Sequence, residues 1–312
     1  MKKTAGKCIN ILLTLILVSL ICFALSSFAK GDAAIYVLGE EASEEALMEL
    51  RAELGLDRGF FVRWGIFLKN FFTLNWPENM AGESILKIVS NRAGVTLELT
   101  FFSLVLAIGF SILISLFSWK KNGKGDVITE VLSLVIFSMP AFLLAVLLMV
   151  LFSYVIPLFP VSGYVKPSIS ISRNIMSMVL PSVSMALMHS ALFVRVLKRS
   201  IRREMGMPYM DGALARGKER WKLPFEEALR PASVSFMGLI ANSVSSLILG
   251  SAVTETVFNL PGLGSLIVTS SLRRDIDTVT TVIMLFSVII AAVSILSELL
   301  IRAVDPRAGR SA

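Results

Sequence analysis

Few side chains in this sequence are of a type and spacing suited to covalent or metal chemistry. His189 is the single histidine, and a lone imidazole cannot build a multi-ligand metal site from its own kind. Set in an apolar stretch, it is expected to make an interhelical hydrogen bond. Cys8 and Cys22 both fall in or beside one apolar run, which leaves neither a disulfide framework nor a CxxC metal site. Gly6-Lys7-Cys8 and Gly123-Lys124-Gly125 lack the preceding glycine spacing and the hydroxyl of a phosphate-binding loop. The sequence therefore offers no catalytic residues, no metal ligands and no cofactor site. What remains is a set of ionisable residues inside apolar runs: Glu98, Glu130, Arg195, Glu255 and Glu298. A charge at mid-bilayer costs about 2.5–3.5 kcal/mol on insertion scales. All five lie toward run ends, where side chains can reach water, so structural or interfacial roles are expected and a proton relay is not. Met176, Met178, Met185 and Met188 read as packing rather than as a pathway lining.

The elements that carry these residues are membrane spans. Charged residues make up 17% of the chain and apolar ones 55%, with a mean hydropathy of +0.75, whereas a soluble domain carries about 25% charge. Runs long enough to cross a bilayer occur at Ile9 to Ala29, Val95 to Phe117, Val127 to Phe159, Ile175 to Leu197, Val234 to Phe258 and Thr278 to Ile301. The expectation is an all-α polytopic membrane protein with six transmembrane helices and no internal repeat. The third run is over-long and is expected to tilt, kink at Pro140 and end at Pro157. The first run exceeds the 7–15 residues of a signal-peptide core, so it is expected to remain as a span despite the small residues at Ser27-Phe28-Ala29.

Most of the 30 cations fall on one side if the N-terminus is cytoplasmic: Lys2, Lys3 and Lys7, then Lys120, Lys121 and Lys124, then Arg195 through Arg230, then Arg302, Arg307 and Arg310. Short loops rich in Lys and Arg stay inside, which predicts both termini in the cytoplasm of a multi-pass inner-membrane protein. The net charge of +7 is then a property of that face, met by anionic lipid headgroups rather than by nucleic acid. The expected organisation is an N-terminal transmembrane helix over 1–30, an extracytoplasmic segment over 31–93, a five-helix core over 94–304 and a cytoplasmic tail over 305–312. Within the second part, Glu44 to Leu54 has the spacing of an amphipathic helix, suited to a membrane surface or to a partner.

Two segments stand out for function. In the loop over 198–231, Pro208 suits a first helical position, Asp211 an anion near the positive helix end, and Gly217 a left-handed stop. Asp211, Gly212, Ala213, Ala215 and Gly217 then make a short helix with small side chains, open to close approach by another backbone. Pro224 opens a second segment, Phe225 to Arg230, which Pro231 is expected to close. Between the last two spans, Glu255 is followed by Leu260-Pro261-Gly262-Leu263-Gly264, which reads equally as a simple turn or as a re-entrant segment at the outer mouth.

Asp211-Gly212-Ala213 with Gly217 four residues on resembles the EAA-x-x-x-G motif of binding-protein-dependent ABC importer permeases, with Asp211 for the Glu and Gly212 for the first Ala. Ala228-Leu229-Arg230 follows where that loop carries Ala-Leu-Arg. The resemblance is closest to the dipeptide, oligopeptide and nickel branch. It extends through Gly31-Asp32, Leu50 to Asp57, Asn91 to Thr100, Ser138 to Phe142, Phe159 to Tyr164, Glu255 to Gly264 and Asp305-Pro306-Arg307. It implies spans of the importer-permease (MetI-like) type and a non-enzymatic transport subunit for peptides, nickel or another small solute. It also implies the partners: a second homologous permease, two cytoplasmic ATPase subunits that use ATP and Mg, and an extracytoplasmic solute-binding protein. Asp211 to Gly217 would dock the ATPase, and Glu255, Pro261, Gly262 and Gly264 would lie at the outer mouth. The competing class is a self-contained, ion-coupled secondary transporter, which calls for substrate or proton ligands near mid-span.

Overall fold

The computed structural model describes residues 2–29, 43–53, 57–120 and 123–304. Gly31-Asp32, part of Leu50 to Asp57, Lys121, Asp305-Pro306-Arg307 and the side chains of Cys8 and Glu298 lie outside the described set. All the regular structure described is helical: α1 Lys2–Ala29, α2 Glu44–Glu53, α3 Phe60–Phe72, α4 Ile85–Ser118, α5 Lys124–Ser138, α6 Ala141–Met149, α7 Ile171–Met205, α8 Pro208–Ala215, α9 Leu229–Val257, α10 Leu263–Leu272 and α11 Ile276–Val304. Among the described residues, five helices are long and apolar enough to cross a membrane: α1, α4, α7, α9 and α11.

The sixth candidate span is broken. Helices α5 and α6 together have the composition of a span but meet at 106°, far beyond the tilt and kink expected of one run. Met139 precedes proline and is driven into extended backbone at ψ 137°, which ends α5. Pro140 then caps α6, its carbonyl accepting from the N–H groups of Leu143 and Leu144. A π-turn over Val150–Val155 extends α6 to Ile156, and Pro157 stops it as expected. Pro231, by contrast, closes nothing. A π-turn over Pro224–Ala228 leads directly into α9, and Pro231 is accommodated inside that helix. The i→i+5 shift, seen where Leu229 N–H reaches the Pro224 carbonyl, widens the turn that a proline ring would otherwise crowd.

The chain divides into two compact units, Met1–Ala93 with Leu266–Ala291, and Gly94–Ser265 with Ala292–Ala312. In the first, α3 packs on α1 through aromatic side chains. A tight loop precedes α4, with Asn79 Oδ1 accepting from the N–H groups of Ala81 and Glu83. Asp275 caps α11 by accepting from Thr278 N–H at 3.3 Å and Thr278 Oγ1–H at 2.6 Å.

The second unit is organised around α7, which packs against α5, α6 and α9. Its most apolar stretch is 67% buried, against 17–39% for the other spans. Small and apolar residues let it serve as the axis: Met178, Leu180, Met185, Ala186, Ala191, Phe193, Val194, Leu197 and Ile201 are all buried. They feed two apolar cores. One joins Val95, Leu99, Ala145, Met178, Leu180, Met185, Leu247, Phe258 and Leu260. The other joins Ala186, Phe193, Leu197 and Ile201 to Met210, Ala213, Leu223, Ala228, Ala232 and Phe236.

Candidate functional site

The loop after α7 is a rigid structure assembled from local signals. Gly206 caps α7, Pro208 opens α8 and Asp211 stands in its first turn. At the other end Gly217 adopts φ +84°, with its N–H on the Leu214 carbonyl and Lys218 N–H on the Ala213 carbonyl. These two bonds form a Schellman stop, which satisfies carbonyls that the helix end would leave orphaned. The turn is tied to the next segment by Lys218, whose Nζ lies 2.6 Å from Glu227 and 2.9 Å from Glu226. That contact raises the Lys218 pKa and lowers that of Glu227. Tyr209 Oη–H donates to Glu204 at 2.9 Å; burial, then this bond, pushes the phenol up to about 12.

The small residues of α8 do not all face outward. Ala213 and Met210 are buried in the chain's own core, and Gly212 is half-buried. Asp211, Ala215 and Gly217 are exposed, together with Tyr209 and Leu214. The outward face of α8 is thus a mixed one, with a tyrosine and a leucine among the small side chains.

A network that the sequence reading did not isolate fixes the stem of this loop. Lys198 is buried, with Nζ 2.7 Å from Asp126, 3.2 Å from Glu130 and 3.3 Å from Thr129 Oγ1. One helical turn on, Arg202 donates to Asp126 Oδ1 and to the Trp119 carbonyl, each at 3.0 Å. The signal was present as two i,i+4 pairs, acids Asp126 and Glu130 on α5 and cations Lys198 and Arg202 on α7. Glu130, partly exposed, is therefore an ion-pair partner as well as an end-of-span charge.

At the other segment, Glu255 does not snorkel. It is fully buried and anchors the start of α10. Thr96 Oγ1–H donates to Glu255 Oε1 at 2.7 Å, and the same Oγ1 accepts from Leu263 N–H at 2.8 Å. Ser265 N–H donates to Glu255 Oε2 at 2.8 Å, and Ser265 Oγ–H lies within reach of the Leu260 and Gly262 carbonyls at 2.8 and 3.0 Å. Two first-turn N–H groups of α10 thus end on Thr96 and Glu255, where an anion also complements the helix dipole. Both glycines are demanded by proximity. A Cβ at Gly262 would enter the Glu255 carboxyl group, and one at Gly264 would collide with the backbone of Ala252. Pro261 lies exposed on the turn. The segment is more than a turn: it leads into a ten-residue apolar helix, too short to span.

The remaining candidates separate cleanly. Glu98, half-buried, accepts from Tyr164 Oη–H at 2.7 Å; burial, then this carboxylate, raises the Tyr164 pKa. Arg195 Nε and Nη2 are buried and find no hydrogen-bond partner among the described residues. Among the described residues, the contact found for His189 is a tilted packing of its ring against Phe193, 6.2 Å between centroids, rather than an interhelical hydrogen bond. No cluster of three or more His, Cys, Asp or Glu side chains that could hold a metal occurs among the described residues.

Comparison with known proteins gives consistent matches along the chain. Residues 107–310 match the model of the binding-protein-dependent transport system inner membrane component, and residues 2–99 match the N-terminal model of such membrane components. A probable peptide ABC transporter permease of Sinorhizobium fredii is 28% identical over 301 residues, covering 93% of this chain and 94% of the relative. A dipeptide transport system permease of Alkalihalophilus pseudofirmus is 24% identical over 315 residues, covering 94% and 95%. Among solved structures, an inward-facing conformation of the MetNI methionine ABC transporter aligns with a TM-score of 0.56 at 14% identity, over 70% of this chain and 96% of that one. An amino acid ABC transporter structure aligns with a TM-score of 0.51 at 15% identity, over 70% and 94%. These two likenesses establish a shared helical fold.

Proposed function

The chain belongs to the family of binding-protein-dependent transport system inner membrane components, and on that premise we propose that it is one membrane subunit of an ATP-driven peptide importer. The names of its relatives carry the choice of peptide over nickel or another small solute. In this reading both termini are cytoplasmic, a second permease completes the pathway, an extracytoplasmic binding protein delivers the solute, and ATP with Mg is used by separate ATPase subunits.

The observation that supports the arrangement most directly is α8. It is a short helix whose inner side, Met210 and Ala213, is sunk in the core, while Tyr209, Asp211, Leu214 and Ala215 face out between two fixed ends. Such an element is built to be pushed without deforming, as docking to a moving ATPase requires. At the opposite end, the Glu255–Thr96 clamp would hold α10 at the outer mouth. A self-contained ion-coupled transporter would need an uncommitted buried acid. Glu255, buried within a span, is instead committed to Thr96 and Ser265.

The test is affinity purification of the tagged chain from native membranes in mild detergent, with the wild type beside Gly217→Glu. A phosphate-loop ATPase and a second permease should co-purify with the wild type, and the ATPase should be lost from the variant. A chain that purifies alone where other complexes survive, and transports after reconstitution without ATP, would overturn the reading.

A further inference from the structure

Helix α3 is apolar on both sides but, among the described residues, packed on only one. Toward α1, the rings of Phe60 and Phe67 lie 5.1 and 5.8 Å from that of Phe23. Trp64 Nε1–H donates to Ser19 Oγ at 3.3 Å, and the Arg63 guanidinium sits over the Phe23 ring at 5.8 Å. Phe71 is buried and stacks on Trp76, which donates its indole N–H to the Phe71 carbonyl and so fixes the end of the helix. On the far side, Phe61 is 71% exposed, Val62 56% and Phe72 63%, with Ile66 beside them. Residues 60–72 contain no acid, and Arg63 and Lys69 are their only cations. An all-round apolar helix of this kind is stable only where both sides are kept from water.

The contacts with α1 set the depth at which this happens. Only 17% of the apolar stretch of α1, Ile9–Ser27, is buried within the chain, which leaves it an open apolar surface. At about 1.5 Å per residue, Phe23 lies about 6 Å and Ser19 about 12 Å inside the C-terminal end of that stretch. Phe60 and Phe67, two turns apart on α3, both reach Phe23, so α3 crosses α1 at this level rather than running beside it. Its outer face is therefore at the level of acyl chains, continuous with the exposed Ile16, Leu17 and Leu25 of α1. Thirteen residues, about 20 Å, are too few to span.

We propose that α3 lies embedded in the membrane leaflet at the C-terminal end of α1, with Phe61, Val62, Ile66 and Phe72 against lipid acyl chains and Lys69 reaching for the headgroup phosphates. The helix is thus a further lipid-contacting element of the chain, held by α1 and dipping only part-way into the bilayer. The proposal rests on α1 being a membrane span and is otherwise independent of what the protein transports.

The experiment uses the full chain, with whatever subunits co-purify, reconstituted in vesicles of phosphatidylcholine and phosphatidylglycerol. Single spin-labelled cysteines replace Phe61 or Phe72, with Leu13 on α1 and Glu78 in the following loop as references, and Cys8 and Cys22 are changed to serine and alanine. Collision with dissolved oxygen should exceed collision with an aqueous nickel chelate several-fold at 61, 72 and 13, and the ratio should reverse at 78. A nickel-favoured signal at 61 and 72 would make the face aqueous, and exclusion of both reagents would mean that protein covers it; either result with Leu13 still oxygen-favoured overturns the proposal while α1 stands as a span. Should the cysteine variants fail to fold, a chain retaining Trp64 alone among its tryptophans gives a second readout. Its fluorescence should fall at least twofold in vesicles of mid-chain brominated lipid and be unaffected by aqueous acrylamide; the opposite pattern overturns the proposal.

Discussion

The sharpest consequence of the Glu255 clamp is a non-additive pair of substitutions, Gly262→Ala and Glu255→Ala. Alone, Glu255→Ala strips the buried Thr96 hydroxyl and Ser265 N–H of their acceptor. A buried donor left unsatisfied costs about 1–3 kcal/mol, and the Thr96 hydroxyl alone puts the loss in that range. Gly262→Ala drives a methyl group into the Glu255 carboxyl, an overpacking cost of about 1–3 kcal/mol. In the double variant the methyl occupies space the carboxylate has vacated, so most of the second cost disappears. The expected coupling is about 1–2 kcal/mol in favour of the double variant, within the range found for residues in contact. The assay is equilibrium unfolding in mixed micelles titrated with dodecyl sulfate, followed by circular dichroism. Additivity within about 0.5 kcal/mol would refute the argument that Gly262 is required by the carboxylate, and would leave only its turn geometry to explain it.

Two further outcomes follow from the other end of the second unit. Lys198→Met leaves Glu130 without its cation but Asp126 with Arg202. The destabilisation should be about 2 kcal/mol, below the roughly 3–5 of a fully buried pair, and Lys198→Arg should recover part of it; thermal inactivation of the purified chain distinguishes the two. The loop contacts are expected to be insensitive to pH across the neutral range. Glu227 has a lowered pKa, so its contribution is present above the ordinary carboxylate value and is lost only as pH falls through the lowered one. Lys218 and Tyr209 have raised values, so their contributions hold below the ordinary values and are lost as pH rises through the raised ones, about 12 for Tyr209. Proteolysis of the loop after α8 should therefore stay flat from about pH 5 to 10. The absorbance difference between wild type and Tyr209→Phe should appear near pH 12; a difference already complete at pH 10 would refute the Tyr209–Glu204 contact.

What the sequence revealed, and what it hid, divides by range. The caps of α8 were legible because Pro208, Asp211 and Gly217 each act within one turn. The run from Glu255 to Gly264 could be singled out by its residue types, but the reason for them could not. Thr96 stands 159 residues away, and nothing local says that a carboxylate will meet that hydroxyl. The same distance led to the expectation that Glu255 reaches water, when it is satisfied inside. The stop at Pro157 is legible; at Pro140 the break is sharper than a kinked span, and at Pro231 the helix continues, because a π-turn is a property of the packed helix and leaves no residue signature. Helix α3 does not read as a span, because it is short and carries Arg63 and Lys69. Its signal lies instead in Phe60, Trp64 and Phe67 at helical spacing, facing α1.

If α8 takes an ATPase as proposed, work done on it must be felt at the far end of the same unit, and the packing supplies a route in α7. Met210 and Ala213 of α8 share a core with Ala186, Phe193, Leu197 and Ile201 of α7. Met178, Leu180 and Met185 of the same helix share the other core with Phe258 and Leu260, which lead into the Glu255 clamp. Close-packed cores transmit displacement rather than absorb it. Phe193 is the side chain through which this argument is tested, being fully buried and set edge-on to Phe236 at 5.1 Å and 90°. Phe193→Ala should cost about 3–5 kcal/mol through the cavity it leaves; Phe193→Leu keeps most of the volume and should cost about half as much. If α7 carries the motion, the milder variant should still bind the ATPase, since the outward face of α8 is untouched, yet show a several-fold weaker stimulation of ATP hydrolysis by solute-loaded binding protein. Undiminished stimulation in Phe193→Leu, with its measured stability lowered, would show that the two ends communicate by some path other than the core of α7.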